Sequence, residues 1–86
     1  MIVTEVKIRK TFETEPLKAV CSVTLYGEIA VHDIKIIYVN QKLVVVMPSK
    51  QRKNGEYSDI VHPINSKARG ELEKAVIEEY EKMFIE

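Results

Sequence analysis

The sequence lacks the features that mark secreted and membrane proteins. It contains a single cysteine, Cys21, which has no partner for an internal disulfide. The longest apolar run covers only residues 43–47, which is far too short to cross a membrane, and the chain does not open with an apolar signal region. These absences predict a soluble, cytoplasmic protein.

Side-chain groupings typical of enzymes are also missing. The three glycines stand singly, so no glycine-rich phosphate-binding loop is present. No spacing in the sequence supplies the three or four converging ligands that a metal needs. His32 and Asp33 are neighbours in a predicted strand, where they would point to opposite faces, and Cys21 lies on an apolar face, where a thiol acts as a small hydrophobic group. We therefore predict no enzymatic activity, no catalytic residue, no metal and no cofactor.

A net charge of one sign is absent as well, because 13 Lys and Arg balance 13 Asp and Glu. This balance conceals an asymmetry along the chain. Residues 1–69 carry eleven basic and seven acidic side chains, a net charge of +4, whereas residues 70–86 carry two basic and six acidic ones, a net charge of −4. One surface of the folded chain is therefore expected to be positive, and the outer face of the C-terminal segment negative.

The chain does contain a strand pattern over its first two thirds, within one domain that spans residues 1–86. Alternation of apolar and polar side chains and short apolar runs predict five strands, at residues 2–12, 17–26, 29–39, 43–47 and 57–61. Turn-forming residues separate them, at 13–16, 27–28, 40–42 and 54–55. Asn54-Gly55 is the strongest hairpin signal, because both residues tolerate positive φ.

The remainder of the chain predicts one helix of about five turns. Asn65 or Ser66 can cap its N-terminus, and His62 is expected to hydrogen-bond the backbone or Asn65 at the preceding corner. One apolar stripe recurs at helical spacing, formed by Ala68, Leu72, Ala75, Val76, Tyr80 and Met83. Such a stripe needs a sheet to cover it. The predicted fold class is therefore α+β, an antiparallel sheet of about five strands with one C-terminal helix packed on it.

The segment 47–70 concentrates positive charge around the last predicted hairpin and the start of the helix. This segment contains five basic side chains and only two acidic ones. The basic residues are Lys50, Arg52, Lys53, Lys67 and Arg69. Lys67 and Arg69 lie in the first helical turn, where the positive end of the helix dipole disfavours cations. A sequence that keeps cations there despite this cost is expected to use their positive charge to bind an anion. The free N–H groups at the start of a helix also suit phosphate. These five residues are the predicted nucleic-acid-binding surface.

Two interpretations of this segment remain open. The ribbon predicted over residues 43–61 has the width that a DNA major groove accepts, and Tyr57 could stack on an unpaired base. Half-buried packing is, however, the commoner role of a tyrosine on a strand, and charged turn tips also occur in proteins that bind no nucleic acid. The alternative function is a small protein-interaction adaptor that uses a sheet edge and the acidic face of the helix.

Five blocks of residues resemble the SpoVG family, the stage V sporulation and septation regulators of bacteria. In the order of the chain they are VHDIKI from Val31, MPSK from Met47, GEYSDI from Gly55, HPINS from His62 and RGEL from Arg69. The order and spacing of these blocks match the family along nearly the whole chain. The chain differs from the family pattern in its short turn at 40–42 and in Cys21.

The resemblance implies a small regulator that binds DNA, and in some members RNA, and that forms a homodimer through its sheet. It also implies a basic surface near the MPSK turn and the helix start, where this chain has Lys50, Arg52, Lys53 and Arg69. On this basis we expect an influence on septation, sporulation and gene expression. Neither a membrane nor a small-molecule substrate is expected as a partner.

Overall fold

The computed structural model of the chain describes residues 2–84 and confirms the α+β class. The elements within this range are β1 (Val3–Thr11), β2 (Leu17–Leu25), β3 (Ile29–Val39), β4 (Lys42–Val46), β5 (Ser49–Gln51), β6 (Tyr57–Asp59) and α1 (Ser66–Lys82). No helix in this part of the chain is both long enough and apolar enough to span a membrane.

Strands β1 to β4 form one antiparallel sheet in the order of the chain. Positive φ angles at Tyr26 (55°) and Gly27 (69°) between β2 and β3, and at Asn40 (51°) and Gln41 (65°) between β3 and β4, allow the tight turns that match the twist of a hairpin. The first of these turns lies one residue earlier than predicted, because the N–H of Glu28 already closes it.

The hydrophobic core lies between one face of this sheet and α1. Residues that pair across neighbouring strands share a face, so the row of Ala19, Ile36 and Val45 is buried together on the helix side. Burial of a large apolar side chain contributes about 1.5–3 kcal/mol to folding. The buried hydrophobic residues are Ala19, Cys21, Val23, Ile34, Ile36, Val45, Met47, Leu72, Val76 and Tyr80.

The predicted apolar stripe of the helix is confirmed at its centre and wrong at its end. Leu72, Val76 and Tyr80 are the buried residues of α1. Met83 was assigned to the same stripe, but it is 53% exposed. It is the C-cap residue of α1, so it lies at the end of the helix and outside the buried core.

Strands β5 and β6 form a separate two-stranded sheet, so the predicted single sheet of about five strands is divided. The predicted ribbon over residues 43–61 is wrong, because β4 pairs with β3, and β5 pairs with β6. Pro48 lies between β4 and β5 and has no N–H to give to a ladder, which helps to end β4 before it. The hairpin of residues 49–59 therefore forms a unit beside the main sheet.

The prediction that His32 and Asp33 point to opposite faces assumed a regular strand. The register between β2 and β3 shifts at this point, so both residues oppose Ser22. Asp33 adopts a φ of 61°, which belongs to a β-bulge rather than to a pleated strand. Strand alternation alone therefore does not fix the positions of these two side chains.

Candidate nucleic-acid interface

The hairpin of residues 49–59 ends in a loop that is closed by hydrogen bonds. The N–H of Arg52 donates to the carbonyl oxygen of Glu56 at 2.6 Å, and the N–H of Gly55 donates to the carbonyl oxygen of Arg52 at 3.0 Å. The side chain of Asn54 accepts from the N–H of Glu56 at 3.0 Å. Gly55 has a φ of 90°, which glycine adopts without strain, whereas Asn54 does not have positive φ. The predicted turn is thus confirmed in position, but only its glycine uses the left-handed region.

Three predicted site residues lie together on this hairpin, and we call Lys50, Arg52 and Lys53 the hairpin cluster. Lys50 lies on β5 opposite Ser58, and Arg52 and Lys53 begin the loop. All three side chains are exposed, and none forms an ion pair with another residue between 2 and 84. Exposed ammonium and guanidinium groups without such partners remain available to phosphate oxygens.

The other two predicted site residues lie at the start of α1. Asn65, one of the two predicted caps, is the N-cap, and its Oδ1 accepts from the N–H of Ala68 at 2.8 Å. Lys67 and Arg69 follow it, both exposed, and the first turn contains no acidic residue. Their charges therefore add to the positive end of the helix dipole. No hydrogen bond or ion pair joins this pair to the hairpin cluster within the described residues.

The segment between hairpin and helix is anchored to the main sheet. At the base of the hairpin the N–H of Ile60 donates to the carbonyl oxygen of Pro48 at 2.8 Å. Val61 and Pro63 then line a groove together with Leu72 of the core. The segment that joins the hairpin to the helix start therefore lies beside the core.

His62 lies in the same segment and makes one of the two contacts predicted for it. Its Nδ1 lies 3.0 Å from the carbonyl oxygen of Pro63, so the ring bonds the backbone. The side chain of Asn65, the other predicted partner, instead caps α1. His62 therefore belongs to the corner before the helix, as the sequence predicted.

Tyr57 is 69% exposed, so the prediction of half-buried packing is wrong. The reason is that β5 and β6 form a sheet of their own, without a second layer over the ring. Tyr57 pairs with Gln51 across the ladder, one residue away from the partner of Lys50. An exposed aromatic ring beside the hairpin cluster can stack on an unpaired base.

Two other kinds of site, a metal site and a reactive cysteine, have little support among the described residues. Between residues 2 and 84 no group of three His, Cys, Asp or Glu side chains lies close enough to hold a metal ion. Burial raises the pKa of the Cys21 thiol from 9.0 to about 11, which keeps the thiolate scarce at neutral pH.

Sequence reasoning missed a polar network on the face of the main sheet opposite α1. The Nε of Arg9 donates to the Oγ of Ser22 at 3.2 Å, and this oxygen lies 2.8 Å from the Nδ1 of His32. The three residues come from three different strands. Their contact depends on the register between strands, which the alternation within each strand does not reveal.

Comparison with known protein families identifies the group to which this chain is related. The SpoVG family model matches residues 1–82, nearly the whole chain. The chain belongs to the SpoVG family. Membership in the SpoVG family confirms the resemblance carried by the five sequence blocks.

Individual SpoVG proteins match over most of their own length. The chain is 49% identical over 82 residues to the "Putative septation protein SpoVG" of Caldanaerobacter subterraneus subsp. tengcongensis, and the match covers 95% of this chain and 90% of that relative. Relatives of the same name from Priestia megaterium and Lachnospira eligens are 46% and 45% identical. These matches cover 96% and 95% of this chain and 86% and 93% of the two relatives.

Proposed function

We propose that this SpoVG family member is a nucleic-acid-binding regulator that acts in septation. It binds DNA or RNA in the cytoplasm and thereby influences septation, sporulation and gene expression. The names of its relatives support the role in septation. The hairpin cluster supports the binding of nucleic acid.

The observation that favours binding is the placement of Lys50, Arg52 and Lys53 on one closed hairpin without an ion pair among the described residues. Lysine neutralises a phosphate as a point charge, and arginine can bond two phosphate oxygens or a guanine edge at once. Glu56 and Asp59 lie on the same hairpin and reduce its net charge. Lys67 and Arg69 at the helix start supply further positive charge.

We also propose that the protein is a homodimer formed through its sheet. Strand β3 pairs with β4 only over residues 35–39, so its edge at residues 29–31 is open on that side. This edge lines a groove with Pro48, Ile60 and Val61, and exposed Ile29 lies at its end. An open edge beside exposed apolar side chains is a template for pairing with another chain. A dimer would carry two hairpin clusters.

Fluorescence anisotropy with a labelled DNA duplex, and with a labelled RNA strand, tests the proposed binding. The affinity should be measurable at low salt and should fall steeply with salt, because each neutralised phosphate releases counterions. Absence of binding to both probes at low salt would contradict the proposal. The protein-interaction adaptor would then be the better interpretation.

Light scattering over the micromolar range tests the homodimer. A mass of twice the monomer is expected for the parent chain. Replacement of Ile29 and Ile60 by serine should shift the mass towards the monomer, whereas replacement of exposed Met83 by serine should not. A monomer mass for the parent across the whole range would exclude the dimer.

A further inference from the structure

Ser22 is a nearly buried polar residue on the outer face of the main sheet, the face opposite α1. The residue is 6% exposed. Lys7 pairs with Ser22 across β1 and β2, whereas the next pair, Ile8 and Cys21, lies on the helix side. Lys7 and Ser22 therefore share the outer face. Arg9 and His32 lie on it too, because both contact the Ser22 hydroxyl.

The hydrogen bonds of Ser22 determine which donors of its neighbours remain free. The Nε of Arg9 can only donate, so the Ser22 oxygen accepts from it. When the single hydroxyl proton of Ser22 is donated to the Nδ1 of His32, the ring proton of neutral His32 lies on Nε2. In this arrangement the Nε2–H of His32 and the terminal N–H groups of Arg9 remain as donors.

Two irregularities of the sheet bring these side chains together. The register of β1 and β2 shifts between Ile8 and Lys10, so Arg9 is an extra residue in its strand. The register of β2 and β3 shifts beside Ser22, where His32 and Asp33 are the two opposing residues. Bulges re-aim side chains in this way, and they often lie next to functional sites.

The charge of the outer face is mostly positive. Lys10 and Lys35 both pair with Val20, so they lie on the same face as Lys7 and Arg9. Arg9, Lys10 and Lys35 form no ion pair with another described residue. The Nζ of Lys7 forms an ion pair with the Oε1 of Glu5 at 4.0 Å. Asp33, in the bulge, is the other acidic residue beside Ser22.

We propose that Arg9, His32 and Lys7 form a second phosphate-contact site, which takes a backbone phosphate of the bound nucleic acid. This inference rests on the proposed function. Arg9 offers terminal N–H groups, His32 offers Nε2–H and Lys7 offers an ammonium group, so donors from two strands can meet the several oxygens of one phosphate. Ser22 is a positioning residue, because it orients Arg9 and His32.

A second copy of the chain fits this face less well than a polyanion does. In a two-fold dimer formed face to face, the same patch would lie on both subunits. Lys7, Arg9, Lys10 and Lys35 of one copy would then oppose the same cations of the other. Like charges placed opposite each other destabilise a contact, whereas a phosphate backbone is complementary to them.

Binding measurements with matched variants test the site. Arg9→Gln should flatten the slope of log affinity against log salt by about 0.9 per bound subunit for duplex DNA, or about 0.7 for a single strand. Ser22→Ala should weaken binding although no charge is lost, and Ser22→Thr, which keeps the hydroxyl, should restore it. Lys74→Gln removes an exposed cation from the helix and should leave the slope unchanged. Circular dichroism verifies the fold of each variant.

Nuclear magnetic resonance gives an independent measurement, because the chain has only two histidines. Addition of an oligonucleotide should shift the ring signals of His32 saturably in the parent and not in Arg9→Gln. An unmoved His32 signal together with equal binding by the parent and Arg9→Gln would overturn the inference and leave the proposed function standing. Loss of the dimer mass in Arg9→Gln would also overturn it, because the face would then be an interface between copies.

A titration with inorganic phosphate distinguishes failure of this site from failure of the proposed function. If no oligonucleotide binds the parent, the proposed function fails. A saturable shift of His32 by inorganic phosphate, lost in Arg9→Gln, would still support a phosphate site on the outer face. No shift with phosphate in that case would overturn the site as well.

Discussion

The N–H of Gly55 donates to the carbonyl oxygen of Arg52 at 3.0 Å, so the loop of the hairpin cluster closes on a residue with a φ of 90°. Gly55→Ala should therefore loosen this loop, although an added Cβ would meet no atom within 4 Å. An L-residue in a left-handed conformation costs about 1–2 kcal/mol. Faster hydrogen exchange at the amides of Arg52 and residue 55 is expected. Unchanged exchange at both amides would show that the loop is not strained.

Gly70→Ala is the matched substitution and should act in the opposite direction. Gly70 lies inside α1, does not have positive φ, and an added Cβ would again meet no atom within 4 Å. Alanine in a helix interior is favoured over glycine by about 0.8–1 kcal/mol. Urea denaturation should show an increase of this size in the free energy of unfolding. A decrease would contradict the placement of Gly70 in a regular, unobstructed turn of the helix.

Lys67 and Arg69 should favour binding at some cost to stability. Replacing both by glutamate reverses the charge beside the helix N-terminus, which should stabilise the fold by about 0.3–1 kcal/mol per site at low salt. The same double variant should bind nucleic acid more weakly. Urea denaturation and anisotropy measure the two effects separately. Unchanged affinity in a stabilised variant would remove Lys67 and Arg69 from the interface.

Cys21 should be unreactive in the folded protein. Burial raises its pKa from 9.0 to about 11, so the thiolate fraction at neutral pH falls about 100-fold, with a further loss because the sulfur is inaccessible. Alkylation by iodoacetamide should therefore be slow in buffer and fast in concentrated urea. Equal rates in the two solutions would contradict the burial of Cys21 on the helix side of the sheet.

The parts of the fold that the sequence predicted are those with a local signal. Alternation located β1 and β2, and the flanking turns located β3, each to within one residue at each end. The Asn65 cap marked the start of α1. β5 was missed because Ser49–Gln51 is short and polar and has no alternating pattern. Without β5, the strand predicted at residues 57–61 is joined to residues 43–47 in one ribbon, and Tyr57 is expected to be half-buried.

The candidate site also has a part that the sequence predicts and a part that it does not. The hairpin cluster could be predicted because its three cations flank one turn in the sequence. The network of Arg9, Ser22 and His32 could not, because its members lie on three strands whose register is shifted by bulges. A bulge changes which side chains meet without changing the composition of the strand.

Lys50, Arg52 and Lys53 are proposed to contact phosphates of the bound nucleic acid. Replacement of all three by alanine should barely change stability, because the removed groups are exposed and form no ion pair with a described residue. A matched triple variant, with Lys42, Lys74 and Lys82 replaced by alanine, removes the same charge from other exposed positions. Circular dichroism confirms the fold of both variants.

The most direct measurement is a salt titration of binding to one DNA duplex by the parent and the two triple variants. Loss of the hairpin cluster should flatten the slope of log affinity against log salt by up to about 3 per bound subunit. The matched variant should keep the slope of the parent. An unchanged slope for the hairpin variant, with its fold intact, would contradict these phosphate contacts and place the nucleic-acid surface elsewhere.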